Sequence, residues 1–410
     1  MFFGENQFLF SQEIVIGLFK SLGALPSLIG IAFGATKLSY LIQILTAKGV
    51  EAKPRKKMFL LRIGLAYRAP FLIMGLALWL FAASRPQAAL VAAIAGFWAS
   101  WVIYSVMNPP LMDLYGDTIV AKSRFFSYKV IVGAVVGTVV ALLVKWLFKS
   151  YGFPTKYIVL LLIAFGLSMV SWLLFTRVLD NPEKTVPDRC ASSIGGYLVS
   201  AAQLIKRDRT LAVFLGGRIT NEMCYAFLFL VTLEYLHRFQ LTDAALGNVM
   251  FFRFIPAIAV AYLAGRFSER FGPRKSLVVG AAALVLMFIM AAVIGSATLY
   301  LLVFLLMTVH LSIWSACEPD AMLEISPADS RVAYTTIIMF IPNTIGALTA
   351  PLGGMLAERF GYGFLFALAT AIAAVSLGCY ALVSFMKAPG VAAAKPGRCD
   401  HSLIRHAYRV

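Results

Sequence analysis

Apolar blocks of roughly 18 to 25 residues recur along this 410-residue chain, each bounded by charges, glycine or proline. That length suits a helix crossing a hydrocarbon core about 30 Å thick. Segments of about ten residues with alternating polarity, the mark of an outer-membrane barrel, are not seen. About twelve spans are expected. They centre near Gln12, Lys37, Ile73, Gly96, Gly137, Ala164, Cys224, Ile255, Leu286, Leu306, Ile345 and Ala374. The fold class expected is an all-α membrane protein.

Composition closes off the alternatives. Hydrophobic residues make up 60% and charged residues 13%, where a soluble domain carries about a quarter charged. Short loops leave no room for a sizeable soluble domain. The net charge of +17 fits basic cytoplasmic loops, and no region has the context for nucleic-acid binding. Five scattered cysteines suggest no disulfide framework. The N-terminus has neither a basic n-region nor a small-residue cleavage site, so no cleavable signal peptide is expected. The first span holds Glu5, Asn6, Gln7, Gln12, Glu13 and Lys20, and a shortened N-terminus is one reading of it.

Lysine and arginine set the orientation. One set of loops carries Lys48, Lys53, Arg55, Lys56 and Lys57, then Lys122 and Arg124, then Lys184, Arg189, Lys206, Arg207 and Arg209. The opposite loops carry mainly Arg85, Lys149, Lys156, Arg238 and Arg359. Both termini and the central linker are therefore expected in the cytoplasm. The division expected is a six-helix bundle over 1–178, a linker over 179–210, a second bundle over 211–386 and a basic tail over 387–410. A faint repeat supports two halves: "PPLMDLYGDTIVAKSRFFSYK" follows the fourth span, and "EPDAMLEISPADSRVAYTT" follows the tenth. Parallel repeats with a site between them near the midplane are a known transporter plan.

"GRFSERFGPRK" lies between the eighth and ninth spans, with Gly272-Pro273 making a tight turn. Gly265, Glu269, Arg270, Gly272, Arg274 and Lys275 resemble the signature loop of the major facilitator superfamily. "PLGGMLAERFGYGFLFALATA", from Pro351, is similar to the family's join between its last two helices. The resemblance covers nearly the whole chain. It implies two six-helix halves that rock about a central cavity, with the signature loop bracing helix ends and latching one state. Arg270 and Arg274 are candidates to pair with Glu324 or Asp329, and Glu269 to meet a helix N-terminus. The first half departs from the pattern: "AKGVEAKPRKKMFLLR" keeps basic residues without the acid-Arg-any-Gly core. The fifth span has Gly133 and Gly137 without a following Gly-Pro pair, unlike drug–proton antiporters.

Ionisable groups at membrane depth cost about 2.5–3.5 kcal/mol on insertion scales, so they face a protein interior or cavity. The candidates are Glu13 in the first span, Arg218, Asn221 and Glu222 in the seventh, Arg253 in the eighth and His310 in the tenth. The fourth adds Trp98, Trp101 and Tyr104. The family resemblance places the first, fourth, seventh and tenth helices around the cavity. Arg218 and Glu222 share a helix face at i, i+4. Two functional readings stay open: Glu222 or Glu13 carries a coupling proton, or Arg218 or Arg253 holds an anionic substrate. The bland alternatives are an Arg218–Glu222 or Arg253–Glu222 pair that locks helices, a His310 hydrogen-bonded across helices, and aromatic residues that only pack.

No enzyme is expected, since paired acids at metal spacing, a phosphate-binding glycine loop and a nucleophile–histidine arrangement are all missing. Cys399, Asp400, His401 and His406 in the tail match no metal pattern, so neither metal nor cofactor is expected. The function expected is secondary transport of a small solute by alternating access, with a proton as a candidate coupling ion. The alternative is a transporter fold serving as sensor or partner subunit. Short loops and the lack of an N-x-Ser/Thr sequon point to a bacterial inner membrane, and a monomer in the bilayer is expected.

Overall fold

The computed structural model describes residues 11–51, 56–118, 122–177, 204–326 and 331–386. Among them every regular element is a helix, as lipid requires of a chain that must satisfy its own backbone. In the first half these are α1 (Gln12–Ser21), α2 (Pro26–Glu51), α3 (Lys56–Ala66), α4 (Ala69–Phe81), α5 (Pro86–Thr118), α6 (Lys122–Ser150) and α7 (Thr155–Phe175). In the second they are α8 (Arg209–Ala226), α9 (Leu228–Arg238), α10 (Ala245–Phe271), α11 (Pro273–Val293), α12 (Ala297–Ile325) and α13 (Arg331–Phe385). The pairs α3–α4 and α8–α9 each make one span, and α13 makes two, divided at Gly361 with φ 82°. Counted so, the described helices supply the twelve expected spans.

Eight of these segments are long and apolar enough to cross a membrane by length and composition. The last of them, Ile337–Phe385, is long enough for two crossings. The ionisable residues Glu13, Lys37, Arg218 and Glu222 lie on α1, α2 and α8. Glu13, Arg218 and Glu222 are buried inside the protein instead of facing lipid. Trp79, Val91, Val139, Leu263, Val293 and Leu382 are exposed on the outer faces, as a lipid-facing surface demands. The chain is an integral membrane protein.

Sequence chemistry sets the breaks. Gly272 takes φ 90°, open to glycine and strained for other residues, and Pro273 starts α11 where its missing N–H costs nothing. Asp208 caps α8, accepting from the N–H groups of Thr210 and Leu211 at 2.8 and 3.1 Å. The same carboxylate accepts from Tyr334 Oη at 2.6 Å, tying α8 to α13 at the signature-loop end.

The halves meet along two seams. In one, α2 lies against α13; an added Cβ at Gly30, Gly34 or Gly354 would sit 2.4–2.5 Å from a backbone oxygen of Ala350, Ala347 or Pro26. In the other, α6 lies against α10, with Gly137 beneath the Phe254 ring and Gly247 against Lys145. The linker expected over 179–210 falls mostly outside the described residues, as do the tail, Asp329 and parts of both repeat copies.

Candidate functional site

Helix geometry places the central charges at depth. Glu222 is thirteen residues from the start of α8 and sixteen from the end of α9, which is about 20 and 24 Å at 1.5 Å per residue. Its side chain is 3% exposed and forms ion pairs with Lys37, across the halves, and with Arg218 one turn back. Arg218 Nε lies 2.5 Å from Glu318 Oε1 on α12. The result is a buried chain of alternating charge, Lys37–Glu222–Arg218–Glu318, with no net charge. Three members belong to the second half, and Lys37 alone comes from the first.

Local packing explains the placement. Gly346 on α13 leaves room for the Glu222 side chain, since a Cβ there would stand 2.8 Å from Glu222 Cγ. Gly217 draws α8 against the last arm of α13, where Ser376 Oγ donates to its carbonyl at 3.0 Å. The Arg218 guanidinium lies 5.0 Å from the centre of the Trp314 ring, and the Lys37 ammonium 4.1 Å from that of Tyr225. Asn221 is fully buried, and neither amide atom has a partner among the described residues.

A second inter-half pair lies nearer the end opposite the signature loop. Arg253 on α10 pairs with Glu13 on α1, which is fully buried. The open choice of an Arg253–Glu222 pair is thus resolved by geometry: Arg253 has a different carboxylate. At that end Asp243 Oδ2, between α9 and α10, accepts from Ser21 Oγ at 2.7 Å, Lys156 Nζ at 2.8 Å and Tyr157 Oη at 2.9 Å. Glu358 accepts from the backbone N–H of Ser27 at 2.6 Å, at the first turn of α2. All these donors belong to the first half and both acids to the second.

The other candidates fall into place. His310 Nδ1 lies 2.9 Å from the carbonyl of Gly280, so it is tied across helices, and it stacks on Trp314 with centroids 5.9 Å apart. Trp98 Nε1 donates to Ala32 O at 3.0 Å, joining α5 to α2. Trp101 packs edge-on between Phe97 and Tyr104. In the signature loop, Arg274 lies 3.3 Å from Glu324 and donates to Met386 O at 2.9 Å. These contacts brace α10–α11 against α12 and the end of α13. Glu269 and Arg270 are exposed; Arg270 lies over the adjacent Phe271 ring. Gly265 and Lys275 flank these groups on α10 and α11.

Lys37 and Glu318 are the central residues not picked out as candidates. A lysine in the middle of an apolar span was the available signal for the first. Glu318 stood in the quoted repeat beside Pro319. Arg68 was also passed over; it is buried and donates from Nε to Ser168 O at 2.7 Å and to Gly64 O, tying α3 to α7.

Residues 219–399 match the Major Facilitator Superfamily sequence model. No curated protein matches the chain. Among solved structures, a POT family transporter in complex with 5-aminolevulinic acid superposes with TM-score 0.67 at 13% identity, over 92% of this chain and 94% of its own. The human organic anion transporter MFSD10 gives 0.66 at 12% identity, over 92% and 96%. The nucleoside transporter NupG gives 0.64 at 15% identity, over 94% and 98%. At such identities the likeness establishes the fold. The resemblance carried by the signature loop agrees with both comparisons: the chain has the major facilitator fold over 92–94% of its length, and residues 219–399 match the superfamily's sequence model.

Proposed function

We propose that this protein is a secondary active transporter that carries a small solute across the membrane by alternating access. The observation that carries the reading is the charge chain Lys37–Glu222–Arg218–Glu318, buried at mid-depth and completed only where the two halves meet. A purely structural core rarely holds four charges there, because each must recover its lost hydration from a partner. With the basic loops in the cytoplasm of a bacterial cell, the Asp243 and Glu358 contacts close the outer face. The halves would then part at that face to release or admit solute.

Glu222 has two cationic partners, Lys37 and Arg218, and Glu318 has one, Arg218. The Arg274–Glu324 contact lies within the second half, so it supports a brace for its helix ends.

The test is a thermal-stability screen of the purified protein against a broad metabolite set, followed by uptake of each stabilising compound into proteoliposomes. A ligand that binds only the folded protein raises its stability by RT ln(1 + [L]/Kd). Transport of a hit, lost in Glu222→Gln, supports the reading. Hits that bind without crossing the membrane, or a folded protein with no hits, would favour a sensor or partner role.

A further inference from the structure

The inter-half ion pair suggests the charge type of the solute, an inference that rests on the transporter reading above. A solute at mid-depth between the halves must part Lys37 from Glu222. Arg218 is the less exchangeable cation, since it is held by Glu222 and Glu318 and covered by Trp314. Lys37 is the exchangeable member: its side chain is 19% exposed, against 5% for Arg218. The position its ammonium occupies has two features of an amine site, the Glu222 carboxylate and the face of Tyr225 at 4.1 Å. Beside Glu222 in sequence, the fully buried Asn221 amide has donors and an acceptor with no partner among the described residues.

Charge balance then selects among solutes. A neutral solute would leave Lys37 unpaired and the Glu222–Arg218–Glu318 group one cation short. A simple amine would replace Lys37 at Glu222 and strand Lys37, and a simple acid would leave Glu222 and Glu318 sharing the one cation Arg218. A molecule with both an ammonium and a carboxylate satisfies both and keeps the cluster neutral. We propose that the site takes a small zwitterion, its ammonium on Glu222 and Tyr225 and its carboxylate on Lys37. The groups facing Glu222 in this arrangement are Lys37 on α2, Arg218 and Tyr225 on its own helix, and Gly346 on α13. Glu318 lies beyond Arg218.

The experiment uses the full-length purified protein and matched triplets: an amino acid, the amine left by removing its carboxylate, and the acid left by removing its ammonium. L-phenylalanine, phenethylamine and 3-phenylpropionate form one such set, and L-leucine, isopentylamine and 4-methylpentanoate another. Binding is read by thermal shift and calorimetry. The expected result is stabilisation by at least one zwitterion, with its amine and acid about 10- to 100-fold weaker. Lys37→Gln should reduce the difference between zwitterion and amine, while Lys37→Arg preserves it. Glu222→Gln should reduce the difference between zwitterion and acid. An amine that binds as well as its zwitterion, an acid that does so, or no binding by any zwitterion overturns the proposal. Uptake into proteoliposomes separates the two claims: transport of a non-zwitterion sinks the solute class and leaves the transporter standing, whereas binding of a zwitterion without transport does the reverse.

Discussion

Lys156 Nζ lies 2.8 Å from Asp243 Oδ2, an ion pair that joins the first half of the chain to the second at the end away from the signature loop. Ser21 and Tyr157 donate to the same oxygen, so three donors of one half converge on one acid of the other. Asp243→Asn should weaken this closure while leaving each half intact. Charge-assisted bonds contribute about 1.5–3 kcal/mol, enough to move a two-state population about 10- to 100-fold. The check is the distance between spin labels at Leu25→Cys and Phe360→Cys, which should gain a longer population.

The glycines of the α2–α13 seam act on the same equilibrium by shape. Gly34→Val or Gly354→Val places side-chain atoms where the Ala347 and Pro26 carbonyl oxygens now stand. Overpacking costs about 1–3 kcal/mol, and the halves can avoid it by parting. Both variants are expected to stay folded and to lose the short Leu25–Phe360 distance. Unfolding without a distance change would show that the seam is a fixed core.

Arg218 has two carboxylate partners, and this predicts non-additive stability. Glu222→Gln or Glu318→Gln alone leaves the guanidinium one carboxylate. The double variant strands a buried cation, for which losses of about 3–5 kcal/mol are typical. Thermal unfolding should show the double loss exceeding the sum of the singles by at least about 0.5 kcal/mol. Additive losses would mean that the two acids do not share Arg218.

Within the signature loop the charges should separate by burial. Arg274→Ala removes the Glu324 pair and the bond to Met386 O, and should lower the unfolding temperature. Glu269→Gln changes an exposed group and should alter stability by less than about 0.5 kcal/mol. Equal effects would show that the loop charges act only in topology.

The helix count was legible because bilayer thickness imposes a length on every apolar block, and breakers such as Gly272-Pro273 mark the turns. The Arg218–Glu222 pair was legible because i, i+4 spacing puts both on one helix face. Partners across the halves were not. Glu13 meets Arg253, and Glu222 meets Lys37, only because α1 and α2 pack against the second bundle, and no local spacing records that. Lys37 was hidden by its polar span, which read as generally buried. Arg68 was missed because its described acceptors are backbone carbonyls, which every residue offers.

The most direct measurement of alternating access is a paired distance experiment in the bilayer, on protein without its native cysteines. Labels at Leu25→Cys and Phe360→Cys report the Asp243 end, and labels at Met58→Cys and Phe271→Cys report the signature-loop end. These four positions are exposed. Introducing Asp243→Asn should lengthen the first distance and shorten the second, as two halves rocking about the buried Lys37–Glu222 level require. If both distances stay fixed, or both lengthen together, the halves do not alternate and the transport account fails.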